Sequence, residues 1–118
     1  NAKFVNELCR YIANALGLWG VVVHPVEYAV ASVDGADFYQ DGPTTANPVI
    51  TTGGGDHLNA GFCTGMALGA GVETALLMGV CCSGFYVING RTPDIDELID
   101  FMGAWRQEQD QRDAAQEK

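Results

Sequence analysis

Thr51-Thr52-Gly53-Gly54-Gly55-Asp56-His57-Leu58-Asn59-Ala60-Gly61-Phe62 is the stretch on which the reading of this chain turns. Three consecutive glycines just before a helical texture let the backbone turn sharply and let a ligand approach closely. The amides of a first helical turn have no intrahelical acceptor and point outward, and the helix dipole adds about half a positive charge there. Such a turn binds a phosphate or a developing anion without any basic side chain. Asp56 stands in that first turn. On spacing alone it is equally well a helix-stabilising acid, worth about 0.3–1 kcal/mol. The run is not a Walker motif, because the lysine is missing.

The rest of the chain gives this device its weight. Among 118 residues there are fifteen acids and six bases, a net charge of −9. Between Tyr11 and Gly90 there is no Lys or Arg at all, so the glycine turn is the only anion-binding device in that span. A chain so arranged cannot follow a phosphate backbone, which argues against nucleic-acid binding, and an anionic membrane surface is excluded on the same ground. An apolar fraction of 47% is enough for a buried core and rules out a disordered tail.

Upstream, Phe4, Leu8, Tyr11, Ile12 and Ala15 recur at helical spacing and predict an amphipathic helix over residues 3–16, ended by Gly17 and Gly20. Val21-Val22-Val23 then reads as a short strand buried on both faces. Tyr28 to Val33 and Phe38 to Gln40 read as two further strands, with Asp34-Gly35 as the hairpin signal. Asp41-Gly42-Pro43 and Asn47-Pro48 are turns that lead to Val49-Ile50.

Downstream, helical texture runs to about Leu68, and a second helix is expected from about Val72 to Val87. The segment from Ala60 to Ile88 is nearly uncharged, but Glu73, Gly69 and Gly71 divide it. Neither half reaches the ~20 apolar residues of a membrane span, so both read as buried helices. Thr92-Pro93 predicts a helix start, with the stripe Ile95, Leu98, Ile99, Met102 and Trp105 behind it. From Gln107 the chain is polar and is expected to fray. The domain is therefore placed at 1–106 and a tail at 107–118.

Cys9, Cys63, Cys81 and Cys82 show no CxxC spacing and lie in apolar stretches, which reads as buried thiols in a reducing, cytoplasmic setting. No ligand spacing supports a zinc site with His24 or His57, and no metal-ligating residues are assigned. Lys3, Glu7 and Arg10 interrupt any signal-peptide pattern, and the absence of an initiator Met hints at a fragment.

The stretch quoted at the outset closely resembles the second signature of the ribokinase-like (PfkB-type) carbohydrate kinases, DTTGAGDxFxxGF. The helix and buried strand before it and the two small-residue helices after it match the family's context. The resemblance covers nearly all of the chain but only the C-terminal portion of a family member. It implies an α/β fold, the C-terminal part of a three-layer αβα sandwich in which a partial sheet is flanked by helices. Asp56 falls on the family's catalytic base, and Gly53, Gly54, Gly55 and Asp56 fall on its anion hole. Thr52, Gly53, Gly55, Val80, Ser83 and Gly84 fall on the nucleotide site, the last three on one wall of the adenine pocket. ATP with Mg2+ and a sugar are the implied partners, and a homodimer is the assembly open to the intact protein.

Three features depart from the family pattern. Ile50 stands where an Asp usually helps hold a monovalent cation, and Ile88-Asn89-Gly90-Arg91-Thr92-Pro93 is short where other cation ligands would lie, so potassium activation is doubtful. His24-Pro25-Val26 replaces the Thr or Ser and Gly that usually contact nucleotide phosphates. Most of the sugar-binding sheet, the lid and the Mg2+-organising motif would precede this chain, so the chain alone is expected to be inactive.

The reading is an ATP-dependent carbohydrate kinase. Vitamin and nucleoside kinases share the architecture. A non-catalytic nucleotide- or anion-binding domain derived from this fold is the alternative from another class. Eight of the fifteen acids lie from Asp94 onward, which raises an acidic assembly module, although charge runs are usually solvated faces.

Overall fold

A buried strand needs apolar side chains on both faces, and in this chain that strand is Tyr28–Val33. The computed structural model describes residues 1–117. Its elements are α1 (Ala2–Leu16), β1 (Gly20–Val23), β2 (Tyr28–Val33), β3 (Ala36–Asp41), α2 (Gly54–Ala67), α3 (Val72–Asn89) and α4 (Ile95–Gln116). The strands form one antiparallel sheet in the order β1-β2-β3. Val30 pairs with Val23 on one side and with Tyr39 on the other. Asp34 and Gly35 both take positive φ, 50° and 79°, as the two-residue hairpin turn requires.

Side chains alternate along β2, and this sorts the layers. Ala29, Ala31 and Val33 join a core with Leu58 of α2, Leu76, Val80 and Cys81 of α3, and Leu98 and Trp105 of α4. Val30 and Ser32, of opposite parity, are buried with Cys9 and Ala13 of α1. Helices therefore cover both faces of the sheet, in three layers.

The strand expected to be buried on both faces, β1, is only half-buried at all four positions. Among the described residues it has one strand neighbour, β2, so it forms an edge of the sheet. The doubly covered centre is β2.

Small residues set the distance between α2 and α3. A Cβ on Gly65 would sit 2.7 Å from the Cα of Ala75, and one on Gly79 would sit 3.0 Å from the Leu58 carbonyl. The run from Ala75 to Phe85 is buried throughout. By length and composition α3 could cross a membrane, yet 61% of it is buried inside this fold, as in the core helix of a layered domain.

The start of α4 differs from expectation. Its N-cap is Asp94, which accepts from the Glu97 amide at 2.8 Å, while the Glu97 carboxylate accepts from the Asp94 amide at 3.1 Å. This reciprocal capping box satisfies two free donors and outcompetes a Thr cap two residues earlier. Leu98 and Trp105 are buried as expected, but Ile95 and Ile99 are exposed. Phe101 takes the inward place, its ring edge-on to Phe85 at 5.6 Å.

The helix also continues through Gln116, where a polar, fraying tail was expected; Lys118, the last residue of that tail, lies outside the described residues. Contacts of its polar side chains carry it. The Gln40 side-chain amide donates to Gln109 Oε1 at 3.2 Å, Arg112 pairs with Glu108, and the Arg112 guanidinium covers the Trp105 ring. All four cysteines are free thiols, and Cys63 is exposed rather than buried, because it projects from the outer side of α2.

Candidate functional site

The glycine turn sits where the sheet's loops meet the N-terminus of α2. Gly53 caps the helix with φ at 97°, a left-handed conformation that a side chain would strain. Gly54 follows as a buried residue whose amide donates to the Thr51 carbonyl at 3.1 Å. A Cβ there would lie 3.5 Å from Ser83 Oγ. The amides of Gly55 and Asp56, second and third in the helix, have no protein acceptor among the described residues. They are the free donors the spacing predicts. Of the four predicted anion-hole amides, Gly54's is occupied by the turn itself.

Two clefts open on either side of this turn. The first, about 300 Å³, is lined by Gly54, Gly55, Val80, Ser83 and Gly84, together with His24, Pro43 and other loop residues. It thus gathers the three α3 residues assigned to the nucleotide wall. The small residues there have a second use, since a Cβ on Gly84 would clash with Pro43 at 2.4 Å. The second cleft, about 400 Å³, is lined by Val22, His24, Gly53, Gly55, Asp56, Leu58 and Asn59. Gly55 and His24 line both, so the two clefts meet at the glycine turn.

Asp56 is exposed in the second cleft, with its carboxylate free of protein partners among the described residues. Thr52 lines neither cleft; its neighbour Thr51 lines the first one. Gly53 lines only the second. Burial lowers the pKa of His24, which favours the neutral imidazole. At neutral pH it therefore offers one donor and one acceptor and no charge. Among the described residues no three His, Cys, Asp or Glu side chains converge to hold a metal ion. A cation accompanying a nucleotide would be held mainly by the nucleotide's own phosphates.

The sequence reading missed the loop Gly42-Pro43-Thr44-Thr45, which walls the first cleft. It was legible only as a turn. Residues 49–51 are brought to the site by the Val49 amide, which donates to the Val87 carbonyl at 2.9 Å. Ile50, at the position of the family's cation-binding acid, lines neither cleft.

Solved structures share this fold. Phosphofructokinase-2 from Escherichia coli, in complex with substrates and products, superposes with a TM-score of 0.72 over 85% of this chain at 22% identity. A nucleoside kinase of Methanocaldococcus jannaschii, an archaeal member of the ribokinase family, superposes with a TM-score of 0.67 over 80% at 17% identity. The fold is therefore that of the ribokinase-family kinases. The family model for prokaryotic ketohexokinase matches residues 2–105, and the chain belongs to that family. A ketohexokinase of Haloferax volcanii is 38% identical over 63 residues, 53% of this chain. The chain spans 33% and 36% of the two solved structures and that alignment 17% of the Haloferax protein.

Proposed function

We propose that the protein containing this chain is a sugar kinase that transfers the γ-phosphate of ATP to a hydroxyl of a ketohexose. The reading rests on one observation above all: the glycine turn separates a small-residue cleft on α3 from a second cleft in which Asp56 stands beside unpaired amides. Membership of the prokaryotic ketohexokinase family supplies the sugar class.

Nucleotide occupies the first cleft, with its base against Val80, Ser83 and Gly84 and its phosphates reaching Gly55. The sugar hydroxyl lies in the second cleft against Asp56. Its oxygen attacks the γ-phosphorus, the bond from that phosphorus to the bridging oxygen of ADP breaks, and the hydroxyl proton passes to the Asp56 carboxylate. The Gly55 and Asp56 amides hold the charge on the transferring group; donors already aimed at that position need no reorganisation during the step. His24, facing both clefts, is a neutral donor within the same space. Mg2+ bound to the nucleotide supplies charge neutralisation when present. The chemistry belongs to the cytoplasm, where ATP and free sugars meet.

A panel of ketoses and aldoses assayed with Mg-ATP, reading ADP release and product mass on the intact protein, tests this. A phosphorylated ketohexose is the expected product. Saturable nucleotide binding without turnover on any sugar would favour a non-catalytic binding domain instead, a reading that the His24-Pro25-Val26 and Ile50 departures support. Phosphorylation of a nucleoside or vitamin alone would move the substrate class.

A further inference from the structure

Glycine has more backbone freedom than any other residue, so three in a row do not by themselves hold amides in one direction. In this protein the three successive carbonyls that lead into the turn, those of Thr51, Thr52 and Gly53, are held. Thr51 O accepts from the Gly54 amide at 3.1 Å, Thr52 O from the Tyr86 hydroxyl at 2.7 Å, and Gly53 O from the His57 amide at 3.1 Å and from the His57 ring Nδ1 at 2.8 Å. A carbonyl only accepts, so Nδ1 carries the hydrogen. The other ring nitrogen, Nε2, lies 2.8 Å from Thr92 Oγ1 and in the neutral ring accepts its hydroxyl hydrogen. The His57 imidazole stacks on the Tyr86 ring at 3.8 Å between centroids and 13° between planes. The tyrosine also abuts the turn, since a Cβ on Gly53 would lie 3.0 Å from its hydroxyl.

A peptide unit is planar, so pinning Thr52 O fixes the direction of the Gly53 N–H, and pinning Gly53 O fixes the peptide that enters α2. We propose that His57 and Tyr86, with Thr92 behind the imidazole, are positioning residues that clamp the glycine turn into its anion-binding geometry. The inference rests on the reading of that turn as the anion hole. It assigns to three residues on α2, α3 and the α3–α4 loop a task no motif position carries. None of the three lines either cleft. They act through the backbone, and misplacing it by an ångström is enough to cost roughly 100-fold in rate.

The test uses the intact protein labelled with 15N-glycine, as His57→Phe, His57→Asn and Tyr86→Phe. His57→Phe keeps a ring over Tyr86 and removes both nitrogens. His57→Asn restores a donor near the Nδ1 position. Two readouts are paired. In His57→Phe the order parameters of Gly53, Gly54 and Gly55 should fall from ~0.85 toward ~0.6, while those of Gly61 and Gly79 hold. In the same variant kcat should fall about 10–100-fold at nearly constant nucleotide KM, with His57→Asn recovering much of the loss and Tyr86→Phe intermediate. Unchanged order at the three glycines overturns the clamp whether or not the protein turns over. So does a lower melting temperature with kcat unchanged, which marks a merely structural pair. A wild type without turnover refutes the kinase reading and leaves the order parameters to decide the clamp.

Discussion

Gly61 of α2 lies so close to the Met78 carbonyl of α3 that a Cβ on it would sit 2.6 Å from that oxygen. The obstacle is backbone, which cannot swing aside as a side-chain tip can. Gly61→Ala should therefore force the two helices apart and destabilise the protein by about 1–3 kcal/mol. Gly103→Ala is the counterpart. Gly103 is an exposed helical glycine with nothing within 4 Å of its Cβ position, so alanine there should stabilise by about 0.5–1 kcal/mol. Urea unfolding of the two variants checks both signs; a destabilised Gly103→Ala or a neutral Gly61→Ala would show the packing to be misread.

Trp105 anchors α4 to the sheet. Its side chain is 5% exposed, and its indole N–H donates to the Asp41 carbonyl at 3.0 Å. Trp105→Ala should cost about 3–5 kcal/mol, chiefly through the cavity left behind. Trp105→Phe keeps most of the area and loses the hydrogen bond, so about 1–2 kcal/mol is expected. Equal losses in denaturant titrations would mean that the hydrogen bond carries the anchor, and negligible losses that α4 does not need it.

The thiols divide by burial. Burial pushes Cys81 up to about 12 and raises Cys9 and Cys82 as well, whereas Cys63 is exposed. The reactive species is the thiolate. Alkylation of the native protein at pH 8 should modify Cys63 alone among these four, and denaturant should release the other three. Mass spectrometry of the labelled peptides reads this directly; prompt native labelling at Cys81 would place α3 outside the core.

Glu97 holds the opening turn of α4 twice, through the capping box and through the Arg91 guanidinium at 2.8 and 2.5 Å. Arg91, with the Asp94 amide behind it, lowers the Glu97 carboxyl from 4.5 to about 2. A depressed carboxyl stabilises the fold above its unfolded value and loses that contribution as pH falls through its folded value. The stability gap between wild type and Glu97→Gln should thus be fully present above pH 4.5 and close toward about pH 2. Both partners are solvated, so the gap is small, and it should shrink in high salt. A gap independent of pH would leave the cap to uncharged hydrogen bonding.

The parts of this fold that follow local rules are legible in the sequence. Asp34-Gly35 marks the hairpin because a two-residue turn needs positive φ at both positions, and Gly53-Gly54-Gly55-Asp56 marks the loop-to-helix junction for a related reason. Where several local signals compete, reading fails: Thr92, Pro93 and Asp94 all favour a helix start, and only the Glu97 side chain chooses Asp94. Burial depends on neighbours. Val21-Val22-Val23 is as apolar as a central strand, yet among the described residues it pairs on one side only, while the less apolar Ala29–Val33 run is the one covered twice. Of the candidate site, the glycine turn and the place of Asp56 in the first turn of α2 are legible in the sequence, whereas Val80, Ser83 and Gly84 enter only through the resemblance to the kinase family. The His57–Tyr86–Thr92 arrangement is not, because its members come together only when α2, α3 and the following loop have packed.

The measurement that bears most directly on the kinase reading is single-turnover transfer from γ-labelled Mg-ATP to a ketohexose by the intact protein and its Asp56→Asn variant. The amide keeps the size and the hydrogen-bonding reach of the carboxylate and cannot take the proton. The predicted result is a rate lower by about 10²–10⁴-fold in Asp56→Asn with nucleotide affinity unchanged. Equal transfer rates in the two proteins would contradict the assignment of Asp56 and, with it, the division of labour between the two clefts.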